Sequence, residues 1–268
     1  MVMKKLLLTA MIAAASFVGA GEEYEFEKVS DWLPTKGVTQ IDDGLLVKNR
    51  VMLRSKKLFD VTPGKVYKLK LEAKRVDGAP TMIYFGFETY LANGKTPMSN
   101  EHVNAIAGTF SSFAKDVKKG DSVIYLDNTA AKWKKLGHSY FAIDAKKDFS
   151  DLPNYKIIRA PITNIEKCAE GYKITLGVKM PRDIAKGTTV RQHISGGYMY
   201  AGGYKLLKDK EVKLFGKVSE VLPPGPGYSF NKWSSYAAKA RLIVLVNWTG
   251  KGSTTALKDI ELEIEDKK

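Results

Sequence analysis

The sequence predicts an all-β fold, a sandwich or a barrel, on three observations. Val66–Ala73, Lys173–Leu176 and Lys210–Phe215 alternate apolar and polar side chains with a period of two, the pattern of half-buried strands. Met82–Phe87 and Ala240–Asn247 are more continuously apolar, as strands buried on both faces are. Turn residues punctuate these segments at Thr62–Gly64, Asp77–Gly78, Ala92–Gly94, Lys119–Asp121, Glu170–Gly171, Pro223–Gly227 and Gly250–Gly252. Helical period is scarce, and Asn100–Phe113 is its best candidate. Pro223–Gly227 is short and flanked by Phe215 and Phe230, so it is expected to be a surface loop inside one domain rather than a linker.

The first twenty residues predict export. Lys4 and Lys5 precede an apolar run from Leu6 to Val18, and Val18-Gly19-Ala20 supplies small residues where a signal peptidase cuts. Cleavage is expected after Ala20, leaving Gly21 at the mature N-terminus of a secreted or periplasmic protein. The run has no amphipathic period to recommend it as a buried helix, and no other stretch reaches the ~18 apolar residues of a membrane helix. No transmembrane segment is therefore expected after cleavage.

The chain has 268 residues, with 43 Lys and Arg against 29 Asp and Glu. Residues 1–20 carry two of the lysines and no acid, so the mature charge is about +12. Such an excess suits anionic partners such as acidic polysaccharide, or serves solubility alone. The single cysteine, Cys168, rules out an internal disulfide and a cysteine metal cluster. His102, His138 and His193 lack the HExxH spacing of a catalytic zinc site. No phosphate loop, nucleophile elbow or nucleic-acid motif occurs, and export argues against a nucleic-acid partner.

Trp32, Asp42–Leu46 and Leu58–Leu69 near the start, with Trp233, Ala237–Leu245 and Leu257–Leu262 near the end, together resemble the galactose-binding-like jelly rolls. That group includes bacterial carbohydrate-binding modules. The likeness covers about residues 24–92 and 210–266. It implies one jelly-roll β-sandwich over residues 21–268, with an inserted strand-rich region at about 115–209; two sandwiches side by side are the alternative. The insert has strand signals at Ser122–Leu126, Tyr140–Ile143 and Tyr172–Leu176. The same likeness implies a structural calcium, for which Glu25, Glu27 and Asp259 are the oxygen ligands on offer.

The densest polar and aromatic cluster is Thr189–Lys205, with Arg191, His193, Tyr198, Tyr200 and Tyr204 among the glycine pairs Gly196-Gly197 and Gly202-Gly203. Aromatic faces stack on sugar rings, and Arg and His donate to hydroxyls and carboxylates. Trp133, set among Lys132, Lys134 and Lys135, is expected at the edge of the same exposed surface. The alternative for the tyrosines is ordinary strand packing. Trp32, Trp233 and Trp248 are expected to pack.

These residues make a non-catalytic protein that binds polysaccharide, including acidic glycans, the favoured function. A structural or cell-surface sandwich without sugar binding is one alternative. A β-sandwich polysaccharide lyase is another, because Arg191, Gln192, His193 and the tyrosines match the residue types of such enzymes. Gln192 and His193 are adjacent rather than spaced, however, and the other lyase motifs are missing. Asp259, Glu261, Glu263 and Glu265 share one strand face. A glycosidase needs two carboxylates facing each other across a cleft, so this run is expected to be the solvated face of the last strand.

Overall fold

The computed structural model describes residues 21–207 and 210–267; the expected signal segment lies outside them. Seven strands come first: β1 (Glu22–Glu25), β2 (Val38–Ile41), β3 (Gly44–Lys48), β4 (Val51–Arg54), β5 (Phe59–Asp60), β6 (Lys65–Asp77) and β7 (Thr81–Tyr90). Seven more follow: β8 (Ser111–Ser112), β9 (Val123–Leu126), β10 (Ser139–Ile143), β11 (Ile157–Arg159), β12 (Ile162–Cys168), β13 (Gly171–Leu176) and β14 (Thr189–Ile194). The last six are β15 (Met199–Leu206), β16 (Glu211–Val218), β17 (Glu220–Val221), β18 (Lys232–Trp233), β19 (Lys239–Val246) and β20 (Thr254–Asp266). Helix is confined, among the described residues, to three short 3₁₀ turns. The helical candidate Asn100–Phe113 holds only one of them, Asn100–His102.

Two sheets form a sandwich. The first has the order β16-β6-β20-β3-β2, with β1 also on β20; the second has β15-β7-β19-β4, with β5 on β19. The connections β3–β4, β5–β6, β6–β7, β15–β16 and β19–β20 all cross from one sheet to the other, as in a jelly roll. Strands far apart in sequence thus share one core, with β6 beside β20 and β7 beside β19. On β6, Tyr67, Leu69, Leu71 and Ala73 turn inward and are buried. They meet Phe85 and Phe87 of β7, Leu242 and Val244 of β19, and Trp233. Trp233 lies 4.9 Å, ring to ring, from both Tyr67 and Phe87.

The outer face of the first sheet is a ladder of opposite charges. Lys70 pairs with Glu261 at 2.7 Å, Lys68 with Glu265 at 2.7 Å, and Lys213 with Glu72 at 2.6 Å. Glu261, Glu263 and Glu265 alternate with the buried Ile260, Leu262 and Ile264. They form the outer face of the closing strand, paired with lysines of β6 beside an open depression that Phe215 also lines. A bulge between Lys258 and Glu261, with Asp259 at φ 48°, divides β20 into a half that pairs with β3 and a half that pairs with β1.

A second core belongs to the region between β7 and β15. Strands β11-β10-β14-β8 form one sheet and β12-β13-β9 another. Phe113, Ile124, Leu126, Trp133, Phe141, Ile174 and Val190 are buried together there. The strands of these two sheets, β8 to β14, all lie between β7 and β15 in the chain, whereas β15 itself belongs to the sandwich. That glycine- and tyrosine-rich segment is the edge strand of the sandwich, paired with β7 from Met199–Phe87 to Leu206–Thr81.

Candidate functional site

The residues singled out from the sequence separate into three environments. Arg191 and His193 are 1% and 0% exposed. Both point to the same side of β14, as a period of two requires, but that side faces protein. Arg191 makes a forked ion pair with Asp151, at 2.9 and 3.2 Å, and its guanidinium lies 4.7 Å from the centre of the Phe149 ring. Arg191 Nε donates to His193 Nε2 at 3.0 Å, and His193 Nδ1 lies 2.7 Å from the Glu101 carbonyl oxygen. An arginine cannot accept a hydrogen bond. Nε2 must therefore be the bare nitrogen, and Nδ1 carries the proton given to Glu101. Burial, reinforced by the Arg191 charge, pushes the His193 pKa down to about 4.

Trp133 is the second correction. It is 6% exposed and packs edge-on against Phe141 at 5.1 Å. Lys132, Lys134 and Lys135 are exposed around it; the lysines turn outward and the indole turns into the core. In this structure Arg191, His193 and Trp133 do not line an exposed surface. The cation and base of the lyase alternative would be Arg191 and His193, and neither reaches solvent.

The tyrosines stay near the surface but do not share one face. Tyr200 lies opposite Gly86 and Tyr204 opposite Ile83, because the register shifts by one residue between Tyr200 and Gly202. Such a bulge inverts every later side chain of the strand. Tyr200 consequently lies on the outer face, whereas Tyr204, 40% exposed, sits on the core-facing side at the open edge. A Cβ on Gly86 would lie 2.0 Å from the Met199 carbonyl oxygen, so the bulge can approach β7 only over a glycine.

Around Tyr200 the outer face of the second sheet gathers aromatic rings. Tyr84 of β7 lies 5.4 Å from it, Tyr198 6.5 Å, and Phe230 stacks on it at 6.3 Å and 21°. Tyr228 packs edge-on against Phe230 at 5.0 Å and donates to the Tyr198 carbonyl at 2.8 Å. Phe230 is 55% exposed. Its loop follows the Pro223–Gly227 turn. Gly196 and Gly203 leave room for the rings: a Cβ would meet Tyr228 at 2.7 Å and Tyr84 at 2.5 Å.

Polar groups border this platform. Glu88, next but one to Gly86 on the same face of β7, is met by Arg54 Nε at 3.4 Å and Arg241 Nε at 3.7 Å. Arg54 also donates to the Tyr198 hydroxyl at 3.3 Å, and Tyr90 donates to Glu88. Burial and that bond to Glu88 hold the Tyr90 phenol protonated well above its usual range. A narrow cleft continues from here between Glu88, Asn100, Tyr198, Tyr228, Lys232 and Ser234. Apart from Tyr198 and Tyr200, the sequence reading passed over these residues. The signal for Tyr84 and Glu88 was their alternation with Ile83, Phe85 and Phe87, hidden in a strand that reads as wholly apolar.

The calcium expectation is not met by a ready group of ligands. Glu25 lies opposite Glu261, and the Phe26 amide bonds the Ile260 carbonyl beside Asp259, so these segments are adjacent. Among the described residues, however, no three His, Cys, Asp or Glu side chains come together as a metal site would require. Among the same residues no helix is long and apolar enough to cross a membrane. Comparison of the chain with protein-family models, with curated proteins and with solved structures gave no match.

Proposed function

We propose that the mature chain is an exported, non-catalytic protein that binds polysaccharide on the outer face of its second sheet. Tyr200, Phe230, Tyr84 and Tyr228 supply the stacking surface, and Arg54, Glu88 and Arg241 supply partners for hydroxyl or carboxylate groups. The observation carrying this reading is the exposed Phe230 ring stacked on Tyr200 beside that Arg–Glu network. Apolar rings held at a polar surface are the means of gripping a sugar's C–H face. On the opposite sheet face most acids are paired with lysines, and Phe215 is exposed there without a stacked aromatic partner among the described residues.

Affinity electrophoresis through a panel of neutral and acidic polysaccharides tests the proposal. Phe230→Ala removes a mostly exposed ring, so its melting temperature should match the parent's. Its affinity for the retained polysaccharide should fall several-fold, the effect of about 1 kcal/mol. A parent that no polysaccharide retards, or a Phe230→Ala variant that binds as the parent does, would overturn the reading.

A further inference from the structure

Toward the other end of β7, two turns meet: the β3–β4 turn at Asn49-Arg50 and the β19–β20 loop from Asn247 to Ser253. The Arg50 guanidinium lies over the Trp248 indole, its central carbon 3.6 Å from the ring centroid. An open depression of about 390 Å³ lies here, with Asn49, Arg50, Trp248, Thr249 and Lys251 on its walls. The guanidinium N–H groups meet no hydrogen-bond acceptor among the described residues. Among the described residues, neither Arg50 nor Lys251 forms an ion pair, and Asp77 on the adjoining turn pairs with neither. Arginines elsewhere on this sandwich face, Arg54 and Arg241, both lie against a carboxylate; Arg50 does not.

The two turns are held rigidly for an exposed corner. Asn247 is fully buried at φ 56°, and its amide donates to the carbonyls of Val47, Asn49 and Ser253 at 3.1, 2.9 and 3.1 Å. Its carbonyl accepts from the Thr255 hydroxyl at 2.7 Å. The Asn49 amide donates to the Ser253 carbonyl at 2.8 Å, and the Trp248 amide to the Met82 carbonyl at 2.9 Å. Asn49 is itself left-handed, at φ 64°. The backbone under the arginine and the tryptophan is thus fixed before any ligand arrives, which lowers the entropic cost of binding.

We infer that Arg50, set on Trp248, forms with Lys251 a second binding site, for the carboxylate or sulfate groups of an acidic polysaccharide. A planar guanidinium presents paired donors that match two oxygens of one anionic group, and stacking on an aromatic ring fixes its direction. Lys251 adds a mobile positive charge across the depression. The tips of both turns are Asn49, Thr249, Gly250, Lys251 and Gly252. They offer no aliphatic side chain to insert into a bilayer, so a lipid surface fits this corner less well than a soluble polyanion. The site does not depend on the aromatic face, and each can fail without the other.

The test is affinity electrophoresis of the mature protein through polygalacturonate, dextran sulfate and neutral dextran, with sedimentation against phosphatidylserine vesicles alongside. Polygalacturonate or dextran sulfate should retard the parent, and which does so separates carboxylate from sulfate recognition. Arg50→Ala should weaken that interaction about tenfold, the loss of one charge-assisted forked contact. Arg50→Lys keeps the charge without the fork and should fall between. Lys251→Ala, at an exposed loop position, should give a smaller loss and safeguards the test should Arg50→Ala fold poorly. Retardation that falls in Phe230→Ala but not in Arg50→Ala would assign the polyanion to the aromatic face and overturn the inference. The inference is overturned if neither polyanion retards the parent, or if Arg50→Ala and Lys251→Ala bind the polyanion as the parent does. It is equally overturned if the vesicles, and not the polysaccharides, sense Arg50.

Discussion

Acidification should loosen the protein through His193, and replacing that residue by glutamine should remove the effect. The imidazole is fully buried, accepts from Arg191 and donates to Glu101. A second proton would have to displace the Arg191 bond and place two cations side by side. The folded pKa is about 4, against an unfolded value of about 6.5. A lowered histidine pKa means that the unfolded chain takes up the proton first as pH falls. The stability that His193 contributes is therefore intact above about pH 6.5, declines as pH falls, and is gone below about pH 4. The linkage amounts to about 2 kcal/mol between pH 7 and pH 5 and about 3 kcal/mol over the whole interval. Burial also lowers the His102 pKa, so that ring adds a loss in the same direction. Asp151, held low despite its burial by hydrogen bonds from Arg191 and Asn154, acts only below the ordinary carboxylate range. Urea denaturation at pH 7 and pH 5 supplies the assay, with the parent beside His193→Gln. The glutamine oxygen can still accept from Arg191 but does not titrate. The parent should lose about 2 kcal/mol more than the variant on acidification. Equal losses would refute the neutral, doubly bonded histidine.

Two further outcomes follow from packing. Trp233→Ala empties the space between Tyr67 and Phe87 and should cost about 3–5 kcal/mol of unfolding free energy by urea denaturation; a loss under about 1 kcal/mol would contradict a single shared core. Gly86→Ala places a methyl 2.0 Å from the Met199 carbonyl oxygen. It should lower the melting temperature and open the bulge of β15, seen as faster amide exchange at Tyr200 and Gly202; parent-like exchange would show that the bulge does not need the glycine.

Much of the sandwich was legible because its strands obey simple alternation. Tyr67, Leu69, Leu71 and Ala73 point inward at every second position, and the Thr62–Gly64 turn sets the start of β6. The acids of β20 were legible as a solvated face for the same reason. The site was harder to read, and each failure has a physical source. Arg191 and His193 look like surface groups because charged residues are seldom buried; here Asp151 and a backbone carbonyl, both distant in sequence, satisfy them. Trp133 looks exposed among its lysines, but a single 3₁₀ turn directs it inward while they point out. Tyr204 looks like a partner of Tyr200 at even spacing, and one bulge residue reverses that. Phe230, Tyr84 and Arg54 meet only when β4, β7, β15 and a loop are assembled, which no local pattern announces.

The central claim is tested most directly by aromatic-proton NMR of the protein titrated with an oligosaccharide of whichever polysaccharide it binds. The account predicts shifts concentrated on Phe230, Tyr200, Tyr84 and Tyr228, with the buried Trp133 and Trp233 unmoved. Shifts that spare these four rings, or an unchanged spectrum at saturating sugar, would contradict it.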